Sequence, residues 1–137
     1  MISRSCPKVL IINGSERMVA TLKSHLQKAG CEVVAHMSSL GIIVAIMEER
    51  PDLIVLDVHM PIIDGPILCR LVQKNRLISG TPILLYSSLA EEPLRRKVAQ
   101  WQAQGYIRNG WNGERVAKLI AHHLTAVPAM NYGQVSA

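Results

Sequence analysis

Phenylalanine is absent from this chain, and aromatic residues together make up only 4% of its 137 positions. A chain so short of rings has little with which to build a stacked cofactor pocket. Cysteine is scarce as well. Cys6, Cys31 and Cys69 are odd in number, widely separated and free of any C-x-x-C spacing, which excludes a disulfide framework and a structural zinc site. Reduced, mostly buried thiols are expected instead. No apolar run approaches the length of a membrane span, and the opening MISRSCPK has no apolar core of a secretory leader. A cytoplasmic protein with no membrane contact is expected. Neither sign of charge dominates: the formal balance is +5, with a pI near 9.4. The densest basic cluster, Arg95-Arg96-Lys97, falls inside a helical pattern and reads as a solvated face, so no direct nucleic-acid contact is expected.

What is present is a hydrophobic content of 49% in a length that suits one domain with a single real core. Strand-like and helix-like stretches alternate. VLII (9–12) is β-branched and apolar throughout. Ser15 can cap a helix placing Met18, Leu22, Leu26 and Ala29 on one face, with Gly30 as its stop. CEVVAH (31–36) reads as a strand, 39–49 as a helix ended by Arg50-Pro51, and DLIVLD (52–57) as a third strand. A helix over 65–76 points Leu68, Leu71 and Val72 inward. TPILLYS (81–87) is a fourth strand, followed by a helix opening at Glu91-Glu92-Pro93. YIR (106–108) is a short fifth strand, and a last helix over 113–124 aligns Val116, Leu119, Ile120, His123 and Leu124. A lead (1–7) and a tail without periodicity (125–137) flank one domain (8–124). Five rounds of strand then helix, with strands apolar on both faces, indicate an α/β fold: a parallel sheet covered on both sides. Ligands of such sheets sit beyond the carboxyl ends of the strands, here Asn13-Gly14, Asp57, Ser87-Ser88 and Arg108-Asn109.

The stretch LDVHMPIIDG sets Asp57 ahead of Met60-Pro61 and Asp64-Gly65 at fixed spacing. With TPILLYSS before a helix and Tyr106 shortly after, it resembles the receiver domain of two-component response regulators, the CheY-like family, over roughly residues 8–124. The resemblance implies a flavodoxin-like (βα)5 fold, a doubly wound five-stranded parallel sheet in three αβα layers. It implies that Asp57 is the phospho-acceptor, that Ser87 and Tyr106 form the switch, and that His59, Met60 and Pro61 make the loop beside the site. The implied partners are a histidine kinase or phosphotransfer protein and a downstream signalling protein, and the implied role is a signalling module in a phosphorelay, not an enzyme. No output domain follows, so a stand-alone receiver is expected.

The chain departs from the family at two places. Where the family ends its first strand with two acids, this sequence has Asn13-Gly14. Where it carries Lys-Pro after the fifth strand, this one has Asn109-Gly110. Those groups neutralise the transferred phosphoryl through Mg²⁺ and a lysine. No cofactor or metal is therefore expected. Each lost charge contact is worth about 1.5–3 kcal/mol, and 1.36 kcal/mol is tenfold in rate, so phosphorylation should be slowed by orders of magnitude. Two alternatives remain: a pseudo-receiver adaptor acting by protein binding alone, and a small cofactor-binding or enzymatic domain on the same architecture. The second is disfavoured by the lack of a Gly-rich cradle after the first strand and of a base–nucleophile pair. The Asp-x-His start at Asp57 is shared with cobalamin-binding domains, but Ile62 stands where their glycine belongs. His59 is then an exposed loop residue, and His122-His123 an ordinary helix end. Leu94, Val98 and Trp101 form a core stripe, and Trp111 packs where Lys-Pro is missing. GIIVAIM (41–47) is apolar without interruption; with Leu40, Ile43, Val44 and Met47 on the sheet, Ile42 and Ile46 would be free to meet a partner.

Overall fold

The computed structural model describes residues 6–61, 64–78 and 80–126. The strands are β1 (Lys8–Ile12), β2 (Glu32–His36), β3 (Leu53–Asp57), β4 (Ile83–Ser87) and β5 (Gly105–Arg108). The helices are α1 (Glu16–Lys28), α2 (Ile42–Glu49), α3 (Gly65–Lys74), α4 (Glu91–Trp101) and α5 (Gly113–Ala126). The last runs two residues past its expected end, and the remaining tail lies outside the described residues. All strands pair in parallel in the order β2-β1-β3-β4-β5. This is the flavodoxin-like arrangement expected from the sequence.

Uninterrupted apolar strands make sense here because each feeds two cores. Val9, Ile11, Leu53, Val55 and Leu84 face α1 and α5, where Leu22, Leu26, Val116 and Ile120 cover them. Leu10, Ile12, Ile54, Leu56, Ile83 and Leu85 face the other way, toward α2, α3 and α4. Side chains alternate across a strand, so a strand buried on both sides must be apolar at every position. Local signals set the helix starts. Ser15 Oγ accepts from Met18 N–H at 3.3 Å, Asp64 Oδ1 from Ile67 N–H at 3.0 Å, and Asn112 Oδ1 from Arg115 N–H at 2.8 Å.

Three expected helix faces are corrected. In α2 the buried residues are Ile42 and Ile46, while Leu40, Val44 and Met47 are exposed; of the set expected on the sheet only Ile43 packs, partly buried, against the core. A helix apolar all round has no polar side to orient it, and the sheet contacts only one i, i+4 stripe of these eight residues. In α3 the inward set is Gly65, Leu68, Cys69 and Val72, leaving Leu71 outside. Ala29 is exposed as the C-cap of α1, whose inner face is Val19, Leu22 and Leu26. The stripe of α4 stands as expected, with Leu94 fully buried and Val98 and Trp101 packed on the same cluster.

Candidate functional site

The strand order reverses between β1 and β3, and the crevice of such a sheet opens above the carboxyl ends of those strands. Asp57, the last residue of β3, stands there. A cleft of about 400 Å³ is lined by Asp57 together with Gly14, Ser15, Met37, Ser39, His59, Met60 and Pro61. The loop residues His59, Met60 and Pro61 thus line the cleft together with Asp57. Asp57 Oδ1 accepts from His59 N–H at 2.9 Å, and Met60 N–H donates to Asp57 O at 3.3 Å. These bonds close a tight turn directly after the strand.

Ser87 ends β4 and is buried. Its Oγ accepts from Leu89 N–H at 2.9 Å and is hydrogen-bonded to His59 Nε2 at 3.3 Å. His59 is solvent-exposed as expected, yet its ring turns back to the Ser87 hydroxyl at the end of β4. Sequence spacing shows that His59 lies in the loop; only the fold brings it to a residue 28 positions away.

Asn13 is buried at the end of β1. Its Oδ1 accepts from Ser15 N–H at 2.8 Å and its Nδ2 donates to Met18 Sδ at 3.8 Å, so it ties the strand end to the start of α1. Gly14 borders the cleft with space above it: a Cβ there would come no nearer than 3.8 Å to Met60 Sδ. Asn109 Oδ1 accepts from the hydroxyl of Tyr86 at 2.9 Å. Burial pushes the Tyr86 phenol up, and the Asp57 carboxylate adds to that, so it stays a proton donor to Asn109. Tyr86 carried no functional signal in the sequence, being one ring inside an apolar strand.

The turn after β5 is closed by Trp111 N–H donating to Arg108 O at 3.2 Å, with Gly110 at φ +99°. Proline is confined near −65° and cannot take that conformation. The departure from Lys-Pro is thus built into the backbone as well as the side chains. Trp111 packs on Tyr106 with ring centroids 5.6 Å apart and carries the Arg115 guanidinium 3.8 Å above its ring.

Tyr106 is partly buried, with its hydroxyl donating to Glu91 Oε2 and accepting from Arg95 Nε at 3.3 Å. Arg95 also reaches Glu91 at 3.0 Å. The tyrosine hydroxyl and the guanidinium hold the Glu91 carboxyl below its usual range. Ser87 and Tyr106 therefore lie on neighbouring strands but keep separate partners.

Among the described residues no three of His, Cys, Asp and Glu gather as metal ligands would. The other side-chain oxygens that line the Asp57 cleft, those of Ser15 and Ser39, are neutral, and that of Asn13 accepts from Ser15 N–H. A hard divalent cation needs several oxygens, preferably anionic, so these donors do not fit the family's Mg²⁺. His122 and His123 meet edge to face at 5.2 Å on α5, and burial, followed by the neighbouring His122, lowers the His123 imidazole.

Comparisons with known proteins agree with this architecture. The family model described as Response regulator receiver domain matches residues 9–121. Protein PilG of Pseudomonas aeruginosa is 31% identical over 81 residues, 59% of this chain and 60% of that protein. The uncharacterized transcriptional regulatory protein YvcP of Bacillus subtilis is 35% identical over 129 residues, 94% of this chain and 52% of that one. The chain thus spans little more than half the length of these curated relatives. Among solved structures, the chemotaxis response regulator CheY4 of Vibrio cholerae superposes with a TM-score of 0.76 at 24% identity, covering 87% of this chain and 99% of that one. A putative response regulator from Chloroflexus aurantiacus gives a TM-score of 0.81 at 23% identity, covering 88% and 99%.

Proposed function

The chain belongs to the response regulator receiver family of two-component signalling, and on that premise we propose that it passes its signal chiefly by protein contact, with Asp57 retained as a phospho-acceptor that reacts slowly or not at all. The observation that carries this reading is the company Asp57 keeps. The side chains at the three family positions are a neutral amide bonded to Ser15, a glycine, and a second amide bonded to Tyr86.

In phosphotransfer an Asp57 carboxylate oxygen attacks phosphorus while the P–N bond to a donor imidazole breaks, the imidazole leaving with the electron pair. Negative charge builds on the equatorial oxygens, and catalysis consists of neutralising it. Here His59 lines the cleft with the acceptor and is hydrogen-bonded through Nε2 to Ser87 Oγ, and neither side chain is a fixed cation. The Tyr106 hydroxyl, held by Glu91 and Arg95, favours one position of the ring and so one state of the α4–β5 surface. The partners under this reading are a histidine kinase or phosphotransfer protein upstream and a signalling protein downstream.

The experiment is phosphorylation of purified protein by acetyl phosphate with Mg²⁺, followed by intact mass. The wild type should gain a phosphoryl group at least about 100-fold more slowly than an Asn13→Asp, Gly14→Asp, Asn109→Lys variant, since restored charge contacts are each worth about 1.5–3 kcal/mol. Space at Gly14 admits the new side chain. Rapid, stoichiometric, Mg²⁺-dependent modification of the wild type at Asp57 would sink the reading. A pure adaptor is separated from a slow phospho-acceptor by Asp57→Asn, which leaves partner binding unchanged only in the adaptor.

A further inference from the structure

The large hydrophobic side chains that stand well exposed among the described residues lie on α2, on α3 and in the segments that flank them. Leu40 is 76% exposed, Val44 57%, Leu71 51% and Leu77 68%; Met37, Met47 and Ile67 complete the set at 36–47%. Between the two helices runs a groove of about 330 Å³ floored by Ile42 and Leu68. Of these, Val44, Ile67 and Leu71 line the groove itself, so exposed apolar side chains border it from both helices, as at a protein interface.

Charge on this face is ordered. On α2, Val44, Met47 and Glu48 fall at i, i+3 and i+4, so the apolar stripe ends in an acid. On α3, Ile67, Arg70, Leu71 and Lys74 share one exposed stripe, which ends in bases. Residues 42–49 contain no base and residues 64–78, past the capping Asp64, no acid. Both helices pack on the same face of an all-parallel sheet, each leading from the carboxyl end of one strand back toward the start of the next, so they run side by side in the same direction.

We propose that this face is the interface of a homodimer, formed about a two-fold axis lying along the α2–α3 groove. That axis sets α2 of each copy on α3 of the other, pointing the same way. Leucine, valine and methionine side chains of one copy enter the groove of its partner, and Glu48 of each copy meets Arg70 and Lys74 of the other. The apolar centre supplies affinity while the charged ends set the register. The interface is isologous, so the same patch closes the assembly at two copies. Apart from Met37, which also lines the Asp57 cleft, its side chains are none of those at the phosphorylation site, and the proposal does not depend on whether Asp57 is modified.

Sedimentation velocity on the full chain, from low to high micromolar concentration, tests it. The wild type should sediment as a dimer, and Asp57→Ala should not change this. Val44→Asp with Leu71→Asp should give a folded monomer by far-UV circular dichroism. Glu48→Lys alone, or Lys74→Glu with Arg70→Glu, should weaken association about tenfold or more, and combining the reversals should restore it. A wild type that stays monomeric throughout overturns the proposal and assigns the face to a different protein. A dimer indifferent to Val44→Asp with Leu71→Asp, or reversals that do not rescue one another, overturns it as well. If the dimer forms while the wild type is rapidly phosphorylated, only the reading of Asp57 falls.

Discussion

At the scale of single residues, the motif around Asp57 divides into chemistry and carpentry. Asp57 and His59 line the cleft, with His59 reaching Ser87, whereas the Asp64-Gly65 end of the same motif is structural. Asp64 caps α3, and Gly65 lets α3 and α4 approach, since a Cβ there would lie 2.2 Å from the Trp101 ring. Overpacking of that kind costs about 1–3 kcal/mol. Gly65→Ala should lower the urea midpoint accordingly, and Gly65→Ala with Trp101→Leu should lose less than the two single changes added together. Strict additivity would show that the ring has room to move aside. The spacing of the motif displayed both halves equally; which residue serves which purpose came from contacts between α3 and α4.

Among the elements, α2 shows most clearly where pattern reading stops. Its existence follows from the run before Arg50-Pro51, but its orientation does not. The buried Ile46 and the exposed Val44 make opposite predictions about mutation. Ile46→Ala should cost about 2–4 kcal/mol, as for a fully buried aliphatic side chain, and Val44→Ala less than about 0.5 kcal/mol, as for an exposed position. Chemical denaturation of the two variants gives the comparison, and equal losses would restore the opposite phase. The central strands β1, β3 and β4 were legible throughout, because a run buried on two faces is apolar at nearly every position and needs no phase. For α3 the signal was present but ambiguous: Leu71 is as apolar as Cys69, and only the cysteine packs inside.

For the molecule as a whole, one sheet serves two cores, which should make unfolding all-or-none. Cys31 reports the α1–α5 side and Cys69 the opposite side. Burial pushes the Cys69 thiol up to about 11, and burial, then Cys6 and Asp52, raise that of Cys31, so both are poor nucleophiles in the native protein. Cys6 is only half-buried, with its Sγ–H donating to Gly30 O at 3.0 Å. Near pH 8 one thiol should react readily in the folded protein. Across a denaturant series the other two should become reactive at the same midpoint. Separate midpoints would mean that one face of the sheet opens without the other.

The amino-acid sequence by itself determined the order of strands and helices, the two-sided sheet and the position of Asp57 at a strand end, because these follow from local propensity and from the period of hydrophobicity. It also displayed which family groups are replaced at Asn13, Gly14 and Asn109. Tertiary structure alone decided that Asn13 and Asn109 are engaged by Ser15 and Tyr86, that His59 turns to Ser87, and that α2 and α3 leave an apolar groove open. Those outcomes depend on residues far apart in the chain and on which of several equally apolar faces the sheet has room to cover, and no local pattern carries that information.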